Sequence, residues 1–155
     1  MITLISREFT VGVPLQQAWD HLARIEAWPS WAPHIEQVEL RPPGELGPQS
    51  TGVIHLVGGF KPPFRMTEFH PPGCETQGKL PNWKWVGPFL WATVIYDHQF
   101  ESLNAEQTKL IWVIPAEGFA ASIIGPVFAM IYRRNLEIAI PRLIREMEAL
   151  PLQAN

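Results

Sequence analysis

The chain has 155 residues, enough for a domain that buries about 68–70% of the surface its unfolded form exposes. Only 17% of residues are charged, while seven Trp and eight Phe supply much flat apolar surface for a core or for the lining of a pocket. A net charge of −3 with no basic run argues against nucleic-acid binding, and the lone Cys74 excludes an internal disulfide and fits a reducing compartment.

Residues 2–11 alternate as a strand, with Ile5, Arg7, Phe9 and Val11 on one side. They lack the charged start and apolar run of a signal peptide. Pro14 then stands where a first helical turn tolerates a missing N–H. Leu15, Ala18, Trp19 and Leu22 share one face of a helix over 14–23. A second short helix at 24–29 is limited by Pro29, and Pro33 turns the chain into a strand at 34–41.

Residues 41–50 read as a loop. Strands are expected at 51–57, 63–70, 74–79, 83–87, 91–103 and 107–115, with Cys74 an unreactive strand or turn residue. The breaks between them are turn chemistry such as Gly58-Gly59, Pro71-Pro72-Gly73 and Gly87-Pro88. Strands joined by short turns make an antiparallel meander. Beyond residue 116 the period changes: Leu136, Ile140, Leu143, Met147 and Leu150 line one face of a long helix at 119–149, bent or restarted at Gly125-Pro126 and kinked at Pro141. The uncharged stretch 118–132 is short of the ~20 apolar residues that span a bilayer. It reads as core helix, with an apolar flap or a membrane-surface contact as the other options. The expectation is a soluble, cytoplasmic protein with no transmembrane segment.

One long helix must cover a sheet of about seven strands, and curling the sheet around it leaves space between them. That is an α+β helix-grip architecture. Ala18-Trp19, Trp31-Ala32-Pro33-His34-Ile35, Thr67-Glu68-Phe69-His70-Pro71-Pro72, Trp85, His98-Gln99-Phe100 and the helix end Arg145-Glu146-Met147-Glu148 carry a resemblance to the START / polyketide cyclase / birch-pollen-allergen (SRPBCC) superfamily. The resemblance implies one domain over 1–150 with a short tail at 151–155, and an internal cavity for a small apolar molecule. It leaves open whether the molecule is carried or converted.

Strand alternation nominates the inward side chains. With Lys84, Asp97, Glu101 and Lys109 outside, Trp83, Trp85, Val94, Tyr96, His98, Phe100 and Trp112 face in. Phe128, Tyr132, Leu136 and Ile140 supply the opposite wall from the helix, and Trp28 stands at the mouth. Tyr96 and His98 share a face as a proton donor and base, or as hydrogen-bond anchors; packed core residues are the bland alternative. Arg65 and Glu68 lie on opposite faces of one strand, so at most one points inward, as an anion holder or as a base. His55 has the same ambiguity, whereas His34 and His70 are expected at the rim or exposed. No nucleotide, hydrolase or metal motif occurs, and neither a cofactor nor a metal is expected.

Three functions remain: a binder of a small hydrophobic or aromatic molecule (lipid, isoprenoid, quinone or polyketide-like), a cyclase or dehydratase using Tyr96, His98 and Arg65 or Glu68, and a protein-interaction module. The ligand and the oligomeric state are left open.

Overall fold

The computed structural model describes residues 1–73 and 78–151. Cys74, most of the strand expected at 74–79 and the tail from residue 152 lie outside them. The described end of that segment, Gly78 and Lys79, is not strand.

Seven strands form one antiparallel sheet in the order β1-β7-β6-β5-β4-β3-β2. They are β1 (Ile2–Val11), β2 (Ile35–Arg41), β3 (Thr51–Leu56), β4 (Pro63–His70), β5 (Asn82–Phe89), β6 (Ala92–Asn104) and β7 (Gln107–Glu117). Pairing β1 with β7 leaves β1 and β2 as edges. A register shift between Thr3 and Ile5 buries both Leu4 and Ile5, so the first strand presents more apolar surface than strict alternation allows.

Pro14 caps helix α1 (Leu15–Ala23), one position before the first turn where it was expected, and its carbonyl accepts the first helical bond from the Ala18 N–H at 3.0 Å. Ala18, Trp19 and Leu22 are the buried face. The next segment, Ile25–Ser30, is a 3-10 helix that buries Ile25 and Trp28. The Trp28 indole N–H donates to the Leu22 carbonyl at 2.8 Å, which ties the segment to α1.

Helix α2 (Ala121–Glu148) is continuous through both Pro126 and Pro141 and does not restart at Gly125-Pro126 as the sequence suggested. A Cβ on Gly125 would meet Leu4 Cδ2 at 2.7 Å, so the glycine lets α2 approach β1 closely. Leu136, Ala139, Leu143 and Met147 are the buried face of its C-terminal half. The sheet grips this helix, and α1 with the 3-10 segment closes one end.

Candidate functional site

The inner face of the sheet divides into two regions. At the end covered by α1, Trp19 fills the space: its ring centroid lies 4.9 Å from Trp83, 5.0 Å from Phe100 and 5.7 Å from Phe69. Trp83 and Phe100 are wholly buried there. Both point inward as alternation required, yet they are core and not cavity wall.

Beyond this plug a cavity of ≈ 120 Å³ (to the centres of a water-sized sphere) remains between sheet and α2. The sheet contributes Trp85, Phe89, Tyr96 and His98, with Ile54 and Leu56 from β3. From α2 come Phe128, Ile131, Tyr132 and Asn135. Phe60 and Ile131, each about half exposed, edge the outer end. An open groove lined by Leu56, Val57, Ile131 and Ile138 continues from it. A smaller void of ≈ 20 Å³ extends the cavity inward and is bordered by Trp112 and Leu136. Trp28, expected at the mouth, is instead buried and borders both voids, and His34 reaches from the voids to the open groove.

The predicted residues Trp28, Trp85, Tyr96, His98, Phe128 and Tyr132 therefore meet at one cavity, and Trp112 and Leu136 reach only its inner extension. Arg65 and Glu68 do not join them. Phe64 and Met66 face the core, but the register shifts between Met66 and Glu68. This bulge returns Phe69 to the inner face and leaves both charged residues outside. Arg65 is exposed, and Glu68 pairs with Lys84 at 3.2 Å and Asn82 at 3.3 Å. Burial raises the Glu68 pKa, but the bonds from Asn82 and Lys84 outweigh it, and the carboxyl sits below its usual range. His55 lies 3.5 Å from Glu39, and His70 4.0 Å from Glu68. His34, expected at the rim or exposed, is half-buried and stands between the open groove and the two voids, lining all three. Its place depends on how the turn after Pro33 folds back, which periodicity does not encode.

His98 is surrounded by indoles, with centroids 5.0 Å from Trp85, 5.1 Å from Trp83, 5.8 Å from Trp28 and 5.9 Å from Trp112. Burial pushes its pKa down to about 3, against small opposing effects from the Trp83 and Tyr96 carbonyls. Burial raises the Tyr96 phenol, helped by nearby Tyr132, and burial also raises Tyr132. At neutral pH all three are uncharged, so the site offers hydrogen bonds rather than ionised acid–base groups.

Several of these hydrogen bonds are unused within the protein. Among the described residues, seven buried side-chain nitrogens lack a hydrogen-bond partner within the protein. His34 Nδ1, His98 Nδ1, Trp85 Nε1 and Trp112 Nε1 belong to side chains that line the two connected voids, whereas His21 Nδ1, His55 Nε2 and Trp83 Nε1 lie elsewhere. A buried polar group left unpaired costs about 1–3 kcal/mol. The four at the voids can pair with water or with a ligand that brings complementary polar atoms. No group of three or more His, Cys, Asp or Glu among the described residues is placed to hold a metal, and none of their helices is long and apolar enough to cross a membrane.

Against this geometry, the sequence profile described as "Polyketide cyclase / dehydrase and lipid transport" matches residues 3–148. No curated protein matches the chain. Similar solved structures include a hypothetical protein from Helicobacter pylori (TM-score 0.71, 13% identity, 92% of this chain and 86% of that one). The ZhuI aromatase/cyclase from Streptomyces sp. R1128 superimposes with a TM-score of 0.67 at 18% identity, over 93% of this chain and 92% of that one. A START superfamily protein from Mycobacterium smegmatis does so at 0.65 and 15%, over 95% and 98%. At these identities the likeness is one of fold.

Proposed function

The chain belongs to the polyketide cyclase / dehydrase and lipid transport family, and from that membership we propose that it binds a small hydrophobic molecule between the sheet and α2. The observation that carries this reading is the aromatic cavity itself, which the core leaves open beside the Trp19 plug. Its size limits how much of a ligand it can enclose. A dry apolar cavity of about 150 Å³ accepts benzene, so ≈ 120 Å³ encloses about one ring or a short branched chain. A lipid, isoprenoid, quinone or polyketide-like molecule would be only partly enclosed, its remainder lying along the groove of Val57, Ile131 and Ile138.

Extraction of the purified protein into organic solvent, followed by mass spectrometry, tests the proposal. Expected is a co-purified apolar molecule, or failing that a saturable change in tryptophan fluorescence with small aromatic probes, since Trp28 and Trp85 line the space. Neither an extract nor a saturable response would remove the reading.

One observation keeps a converting role as a second reading: Tyr96 and His98 share the cavity. Without Arg65 and Glu68, such a reaction would rest on neutral groups orienting a carbonyl, and His98 would be too weak a base to take up a proton near pH 7. Turnover of a poly-β-keto thioester, lost in Tyr96→Phe, would favour it over simple binding. The interaction-module reading draws on the exposed side chains of Leu90, Trp91, Phe119 and Ile123 at one end of the molecule. Sedimentation of the purified chain as a monomer at all concentrations would count against self-association through that end.

A further inference from the structure

We infer that the inner void bordered by His34, His98 and Trp112 is the seat of a single uncharged oxygen of the ligand, a hydroxyl or a carbonyl. The bound molecule is then a neutral amphiphile that enters oxygen first and leaves its apolar end toward Phe60 and Ile131. This rests on the cavity-binding reading and adds the ligand's chemical class and direction.

The void measures ≈ 20 Å³, and one water-sized atom needs about 10–15 Å³ of such space. It shares Trp28, His34, Ile35, His98 and Tyr132 with the larger cavity, so an atom placed in it can be continuous with a body lying there. Three buried polar atoms of its walls, His34 Nδ1, His98 Nδ1 and Trp112 Nε1, lack a protein partner. Of the two other indoles in its lining, Trp28 already spends its N–H on the Leu22 carbonyl at 2.8 Å, and the Trp31 N–H is not among the buried nitrogens left without a partner. Trp112 is thus the buried indole donor without a partner in this void, and a carbonyl or hydroxyl can accept from it, as from the Tyr132 hydroxyl beside it. A hydroxyl can in addition donate to an unprotonated imidazole nitrogen, and an imidazole N–H can donate to either group.

Charge excludes the alternatives. Neither void is lined by any Asp, Glu, Lys or Arg. A carboxylate or ammonium seated there would lose its hydration without gaining a counter-ion.

The isosteric pair p-cresol and p-xylene tests the seat, with p-toluate and 4-methylbenzylamine as charged counterparts, each titrated into the full chain by calorimetry or NMR. In an all-apolar site an unpaired hydroxyl would leave p-cresol about 10- to 100-fold weaker than p-xylene. The seat predicts p-cresol at least as tight as p-xylene, and at least about tenfold tighter than either charged probe. In Trp112→Phe p-xylene binding is retained while p-cresol keeps only the imidazole contacts, so the ratio of p-cresol to p-xylene affinity falls by about tenfold.

Wild-type protein that takes p-xylene about tenfold or more tighter than p-cresol overturns the seat and leaves the cavity reading intact, and so does equal affinity for p-toluate. A Trp112→Phe variant that keeps the wild-type preference also overturns it. Should that variant not fold, the wild-type ratios decide alone. If no probe binds, the seat is overturned, and the cavity reading falls with it where solvent extraction also yields no apolar molecule.

Discussion

His98 sits among four tryptophan rings, and burial there governs its protonation. The folded imidazole titrates near 3 and the unfolded one near 6.5, so unfolding takes up a proton at any pH between the two values. The stabilisation from keeping His98 neutral is complete above about pH 6.5 and is lost as pH falls toward 3. Each pH unit in that window is worth about 1.4 kcal/mol. Between pH 7 and pH 4 the wild-type chain should therefore lose about 3 kcal/mol more stability than His98→Phe, measured as unfolding free energy in urea at a series of pH values. Burial also lowers the pKa of His21 and His34, so the variant keeps a shallower slope of the same sign. Parallel curves for the two proteins would mean that water reaches the imidazole. Glu68 slopes the same way from outside the cavity, because its depressed pKa makes the bonds from Asn82 and Lys84 weaken as acid protonates it.

Among the elements, β4 and α2 mark where sequence periodicity stops being informative. In β5, β6 and β7 a charged residue anchors the outer face, and Trp85, His98, Phe100 and Trp112 were placed inward by counting in twos. The same count fails in β4 because one extra residue between Met66 and Glu68 inverts the phase halfway along, and nothing about Thr67 announces it. Nor does alternation separate a side chain that lines space from one that fills it. Trp83 and Trp85 are equally inward, but Trp19 arrives from another element to press on Trp83. Close approaches between strands are similarly silent in one dimension. A Cβ at Gly52 would collide with the Glu39 carbonyl and the Phe64 ring, so Gly52→Ala should cost about 1–3 kcal/mol of unfolding free energy. In α2 the expected sign is opposite. Pro141 is exposed inside a continuous helix, where proline is about 3 kcal/mol worse than alanine. Pro141→Ala should raise the urea midpoint by up to that equivalent, and a lowered midpoint would show that the ring sets the helix path around the sheet.

Taken whole, the molecule is fastened at one end and loosely covered at the other. The Glu148 carboxylate accepts the Gly12 N–H at 2.7 Å, and Glu146 accepts from the Ser30 hydroxyl and the His21 ring, each at 2.9 Å. Leu143 and Met147 are fully buried between these ties. The N-terminal half of α2 has a different character: Phe119, just before it, is 88% exposed, Ile123 is 72% exposed, and Val127, Met130 and Ile131 also face outward. Midway, Arg133 reaches the Leu4 carbonyl at 3.4 Å and Arg7 of β1 pairs with Glu137 at 3.8 Å. Each half buries four residues, Ala121, Gly125, Phe128 and Ala129 against Leu136, Ala139, Leu143 and Met147. The difference lies in the exposed apolar side chains of the first and in the carboxylate ties it lacks. On that ground the half of α2 that roofs the cavity should open without unfolding the half that anchors the core. Hydrogen exchange should be faster over 121–131 than over 136–148. A saturating ligand adds contacts to Phe128 and Tyr132 in the bound state alone, so it should slow exchange in 121–132 and leave 136–148 nearly unchanged. Uniform protection along α2, or equal slowing of both halves by ligand, would mean that the helix moves as one rigid body and that entry to the cavity runs elsewhere, past Phe60 and the β3–β4 turn.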